Sequence, residues 1–106
     1  MNRIESSHYS NGDKMRETLF VNGKRHGLEI RWNSNGIKSY ETPYVNGRIH
    51  GLETGWYDNG NKWYEATYVN DKRHGLEIEW HSNGNKCCEI TFKNNIEHGV
   101  MIYFKY

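Results

Sequence analysis

Four histidines and four glutamates recur in this 106-residue chain at an interval of 24, and both residue types could do chemistry. His26, His50, His74 and His98 are each followed by glycine, and imidazole nitrogen is a common metal ligand. If the histidines fall on every second strand of a sheet, successive rings lie about 9.6 Å apart. Two ligands of one zinc must each approach it to about 2 Å. The column is therefore expected to stabilise turns through hydrogen bonds beside its glycines, with no metal bound. Glu17, Glu41, Glu65 and Glu89 keep the same interval. Carboxylates ~6.5–9.5 Å apart serve inverting glycosidases, but that chemistry needs two carboxyl groups in unlike environments, one of them held protonated. Four equivalent glutamates supply no such difference. They are expected to form a cross-strand ladder, each meeting a Lys, an Arg or a backbone donor on its neighbour. No Ser/His/Asp or Cys/His grouping stands out from the repeat, and no phosphate-cradling glycine motif leads from a strand into a helix. The expectation is a non-enzyme that uses no cofactor.

The elements that must position these columns follow from the same interval. Asn-Gly stands at Asn11-Gly12, Asn35-Gly36, Asn59-Gly60 and Asn83-Gly84, and a second series runs Asn22-Gly23, Asn46-Gly47, Asn70-Asp71 and Asn94-Asn95. Such dipeptides between alternating runs mark hairpins, because a type I′ turn needs positive φ at both central positions. Between them, residues alternate with period two: Glu53, Gly55 and Tyr57 against Leu52, Thr54 and Trp56. No 3.6-residue period persists, so no helix is predicted. The pattern predicts an all-β, single-layer antiparallel meander of about nine strands, roughly 3–9, 14–21, 26–32, 38–45, 50–57, 62–69, 74–80, 86–93 and 98–105. One domain spans 1–106: a half repeat over 1–12 and then four hairpin repeats of about 24 residues. Pro43, inside a strand, is expected where its missing N–H faces no partner or at a local irregularity.

Only 35% of the residues are hydrophobic and the mean hydropathy is −1.02, which suits a thin fold better than a thick core. The 14% aromatic content argues against disorder and can bury much area per side chain. A net charge of +1 lacks the basic excess of a general nucleic-acid binder. The first twelve residues carry no apolar run of a signal peptide, and no stretch approaches the length of a membrane span. Adjacent Cys87 and Cys88 would point to opposite faces of a strand, so two reduced thiols in a cytoplasmic protein are expected.

Register decides which side chains meet. Two-residue loops throughout would put Leu52, Thr54, Trp56, Trp63, Glu65 and Val69 on one face, and Tyr57, Tyr64, Ala66 and Tyr68 on the other. A bulge at His-Gly would flip the following strand and merge the Trp and Tyr columns. In both registers an aromatic face is left with no helix to cover it.

The block Lys38, Tyr40, Glu41, Tyr44, Asn46, Gly47, His50, Gly51, Leu52, Trp56, Asn59 and Gly60, recurring through the chain, resembles the MORN repeat, and specifically the variant class of bacterial antitoxin-like proteins. The resemblance implies an elongated single-layer sheet of successive hairpins that serves as a scaffold, a membrane-associating module or a partner-neutralising protein. The chain is sparser in glycine along its strands than the commoner MORN pattern, which weighs against lipid binding. The expected activity is to occupy and neutralise a partner protein, as an inhibitor, antitoxin or immunity protein does. Its contacts are expected from Trp32, Trp56, Trp80, Tyr40, Tyr44, Tyr57, Tyr64 and Tyr68, since Tyr and Trp dominate protein contacts. The alternatives are membrane association through a basic loop rim (Lys24-Arg25-His26, Arg48 with His50, Lys72-Arg73-His74) and a structural assembly subunit.

Overall fold

The turn residues divide the chain as the 24-residue interval demands. The computed structural model describes residues 2–94, 96, 97, 102 and 103. Its strands are β1 (Asn2–His8), β2 (Lys14–Val21), β3 (Lys24–Arg25), β4 (Gly27–Trp32), β5 (Lys38–Val45), β6 (Arg48–Ile49), β7 (Gly51–Trp56), β8 (Lys62–Val69), β9 (Lys72–Trp80), β10 (Lys86–Lys93), β11 (Ile96–Glu97) and β12 (Ile102–Tyr103). The strands expected at 26–32 and 50–57 each open with a two-residue piece, β3 or β6, set off at His26 and His50, whereas β9 runs through His74. Of the strand expected at 98–105, only β12 is described; His98, Gly99 and Phe104 lie outside the described residues, as does Asn95. All pairings are antiparallel in one open sheet of about 43 × 31 × 13 Å, with no helix among the described residues.

The two Asn-Gly series build different turns. Asn22-Gly23, Asn46-Gly47 and Asn70-Asp71 hold positive φ at both positions (51° and 80°, 50° and 84°, 49° and 71°), as a two-residue type I′ loop requires. In the other series only the glycine is left-handed, with Gly12 at 94°. There the Gly12 N–H donates to Tyr9 O at 2.9 Å and the Tyr9 N–H to Asp13 O at 2.8 Å, a three-residue loop ending in a left-handed glycine. Each such loop is followed by a one-residue bulge, which leaves Met15, Ser39, Trp63 and Cys87 unpaired opposite β1, β4, β7 and β9.

His-Gly is irregular too, but with an even insertion. Phe20 pairs with Arg25 while Glu17 pairs with Ile30, so the second strand gains two residues across His26-Gly27. Two extra residues restore the original face, so the Trp and Tyr columns stay on opposite sides. Pro43 lies opposite the equivalent His50-Gly51 irregularity, where its carbonyl accepts from the His50 N–H at 3.0 Å. Trp63 departs from the expected face: as the bulge residue of β8 it turns toward Tyr64, ring centroids 5.1 Å apart and perpendicular.

Candidate functional site

One face carries Trp32, Trp56 and Trp80 in a row that alternates with Lys14, Lys38, Lys62 and Lys86. Lys38 Nζ lies 6.0 Å from the Trp56 ring centroid and Lys62 Nζ 5.4 Å from that of Trp80. The same lysines hold the glutamate column: Lys14 pairs with Glu17, Lys38 with Glu41 at 2.5 Å, Lys62 with Glu65 at 2.7 Å and Lys86 with Glu89 at 3.0 Å. These pairs form within one strand, not across strands as expected, because the bulge turns each lysine onto the glutamate's face. Toward the His-Gly ends the face is apolar and open. Ile4, Leu28, Leu52 and Leu76 are 64%, 51%, 49% and 47% exposed, and the register interleaves them with Leu19, Pro43, Thr67 and Thr91. This row lies outside the expected contact residues, although its 24-residue spacing beside His-Gly is visible in the sequence.

The opposite face holds most of the buried side chains. A row crosses the strands as Glu5, Thr18, Glu29, Thr42, Glu53, Ala66, Glu77 and Ile90, with Thr18, Glu29, Thr42, Ala66, Glu77 and Ile90 all buried. Tyr40 and Tyr64 flank this row on one side, Tyr44 and Tyr68 on the other. Phe20, Tyr44, Tyr68 and Phe92 form a ring ladder threaded by guanidinium groups. Arg3 lies 4.5 Å over Phe20, Arg25 5.5 Å over Tyr44, and Arg73 5.3 Å over Phe92. Arg25 and Arg73, expected in a basic rim, are thus stacked on rings and paired with Glu29 (3.1 Å) and Glu77 (3.4 Å).

The three central glutamates are neutralised differently. At Glu29, Thr18 Oγ1 donates to Oε1 at 2.8 Å, Arg25 Nε lies 3.1 Å from Oε1, and Arg31 Nε lies 3.2 Å from Oε2. Burial alone would raise its pKa, but the Thr18 hydroxyl and the two guanidinium groups outweigh it and hold the carboxyl below the usual range. At Glu53, Thr42 Oγ1 donates at 2.8 Å and Tyr64 Oη at 2.8 Å. Tyr64 reaches it by lying flat over Gly55, where a Cβ would sit 2.4 Å from the ring. Burial and the Glu53 carboxylate push the Tyr64 hydroxyl's pKa strongly upward, so it stays a donor. At Glu77 the hydroxyl position is Ala66 and the Arg31 position is Glu79. Burial, then the bond shared with Glu79, push Glu77 up to about 7 against the pull of Arg73. Its Oε1 is buried and accepts no hydrogen bond.

The expected contact residues therefore do not make one surface. Trp32, Trp56 and Trp80 lie on one face; Tyr40, Tyr44, Tyr64 and Tyr68 lie on the other. Tyr57 bridges to the next repeat by donating from Oη to Trp80 O at 2.6 Å. Near the turns, a depression of about 390 Å³ does bring Tyr40, Trp56, Tyr57 and Trp63 together. On the carboxylate face, one of about 280 Å³ is lined by Tyr40, Trp63, Tyr64, Arg73, Glu77 and Glu79. Two of the histidines serve turns: His26 Nδ1 accepts from the Asn46 N–H, and His50 Nδ1 from the Asn70 N–H, each across 3.4 Å. No group of three potential metal ligands occurs among the described residues. Cys87 and Cys88 are free thiols, and burial first and then Cys87 push the Cys88 thiol up to about 12.

A family model for the MORN repeat variant matches residues 25–46, 49–70 and 73–94, well over half of the chain. No curated protein matches it.

Proposed function

The chain belongs to the MORN repeat variant family, whose repeats are generally non-catalytic modules that bind proteins or membranes, and from that premise we propose that it is a protein-binding module that occupies and neutralises a partner, as an inhibitor or antitoxin does. The observation that carries this reading is the open row Ile4, Leu28, Leu52 and Leu76, each about half exposed or more. A contiguous apolar patch on a small chain marks an interaction surface. The Trp32, Trp56 and Trp80 row adjoins it and supplies aromatic anchors on the same face. A protein fits better than a lipid surface because Arg25 and Arg73 are held by Glu29 and Glu77, and each of the four lysines on this face is paired with a glutamate. The two free thiols accord with a cytoplasmic setting.

The test uses immobilised chain in extract of its native host, with Leu52→Glu/Leu76→Glu beside the original. Both leucines are about half exposed, so the variant is expected to fold. A partner retained by the original and lost by the variant supports the reading, as does inhibition of that partner's own activity by added chain. Binding to anionic vesicles at physiological salt, with no protein retained, would overturn it.

A further inference from the structure

We propose that the depression between Tyr40, Trp63, Tyr64 and the Glu77–Glu79 pair is a receptor for a guanidinium group, the arginine side chain of another protein. The repeat itself supplies the template. Residues Arg25, Glu29 and Arg31 stand 48 positions before Arg73, Glu77 and Glu79. In the first set the carboxylate lies between two guanidinium groups, 3.1 Å from Arg25 and 3.2 Å from Arg31, with the Thr18 hydroxyl as a third donor. In the second set Arg73 remains, 3.4 Å from Glu77 Oε1. The hydroxyl has become Ala66, the second arginine has become a second carboxylate, and the tyrosine that serves Glu53 has its counterpart in Cys88, a weak donor. Around Glu77, three positions that supply a donor to Glu29 or to Glu53 in the earlier repeats hold Ala66, Glu79 and Cys88 instead.

What remains is built to receive a cation. Glu77 is only 6% exposed and lines the depression, while its Oε1 is buried behind that surface and accepts no hydrogen bond. The 3.4 Å contact with Arg73 is an ion pair without a hydrogen bond; a buried carboxylate oxygen so served is costly, and a second guanidinium can engage Glu77 and Glu79 at once through its planar fork. Tyr40, Trp63 and Tyr64 supply ring faces on which such a plane stacks, as Arg25 stacks on Tyr44 elsewhere on this face. The groups facing Glu77 are Arg73 and Glu79 on β9, Glu53 on β7, Tyr64 and Tyr68 on β8, and Cys87 and Cys88 on β10. With burial holding Glu77 near 7, arrival of the cation displaces a proton, so binding tightens as pH rises through about 7.

The assignment of arginine's source rests on the protein-binding reading; the site's chemistry does not, and is tested with free cations. Methylguanidinium, n-butylammonium and methylurea are titrated into the isotope-labelled chain while the Trp63 indole and Glu79 amide resonances are followed. Methylguanidinium should give saturable shifts, n-butylammonium weaker ones and neutral methylurea none. Glu79→Arg, which restores the pattern of the first repeat, and Glu79→Gln, which removes the charge, should each weaken methylguanidinium binding about tenfold or more. Leu52→Glu/Leu76→Glu, on the other face, should leave it unchanged. An acetylated peptide with one arginine should bind at least as tightly as methylguanidinium, and its citrulline counterpart should not bind. Absence of saturation, shifts undiminished in both Glu79 variants, or equal response to n-butylammonium would overturn the guanidinium site. Binding of the free cation without the peptide would overturn its protein source.

Discussion

Replacing Glu77 by glutamine should stabilise the protein in alkaline solution and leave it nearly unchanged in acid. The pKa of Glu77 is raised from 4.5 to about 7 in the folded chain, by burial and by Glu79. Each unit of such a difference is worth about 1.4 kcal/mol, so ionising this carboxyl disfavours the fold by about 3 kcal/mol. The folded pKa lies above the unfolded one. The group's contribution is therefore fully present below about pH 4.5 and is lost as pH rises through about 7. Glutamine keeps the shape and cannot ionise. Between pH 5 and pH 8 the stability of Glu77→Gln relative to the original should rise by about 2–3 kcal/mol, a widening of the Tm gap on the order of 10 °C for a chain of this size. Urea unfolding at the two pH values measures it directly. A difference that does not change with pH would show that Glu77 is held as a charge in its pair with Arg73, and the account of the orphaned carboxylate would fail.

Further substitutions examine the same row. Gly55→Ala puts a Cβ 2.4 Å from the Tyr64 ring; it should cost about 1–3 kcal/mol in urea unfolding and release Tyr64 from Glu53, seen as a lower hydroxyl pKa by ultraviolet titration. Ala66→Thr restores the hydroxyl that Thr18 and Thr42 supply to their glutamates, and should lower the Glu77 carboxyl pKa, read by carbon-13 NMR, while adding about 1 kcal/mol at pH 8. Thr18→Val removes the donor to Glu29 and should cost about 1–3 kcal/mol at pH 7. Because the Glu29 pKa is depressed, that penalty should shrink as pH falls through its folded value.

The hairpin interval, the absence of helix among the described residues and four strand spans (14–21, 38–45, 62–69 and 86–93) could be read from the chain because Asn-Gly dipeptides and period-two alternation act locally. Which rings share a face could not be read. It depends on counting inserted residues: two at His26-Gly27, which preserve the face, and one at Trp63, which changes it. A one-residue and a two-residue irregularity look alike in sequence beside a glycine. The second glutamate column, Glu5, Glu29, Glu53 and Glu77, has the same 24-residue period as the first, so periodicity does not distinguish the two. Its significance lies in local differences, Ala66 where Thr18 and Thr42 stand and Glu79 where Arg31 and Gly55 stand, which gain meaning only once the strands show that these positions converge on Glu77. The aromatic columns are only partly buried, and the open apolar row beside the tryptophans is aliphatic.

Each long strand lies beside the strands that precede and follow it in the chain, and the bonds between repeats, such as Tyr9 Oη to Trp32 O and Tyr57 Oη to Trp80 O, reach only to the next repeat. The molecule is therefore a gauge graduated in hairpins. Duplication or loss of 24 residues of coding sequence would lengthen or shorten it by one division, about 9.6 Å across the strands, without altering a bond elsewhere. A partner gripping the leucine row would meet the same spacing at every division, so such a lineage could lengthen its reach while the individually edited carboxylate at Glu77 kept its place.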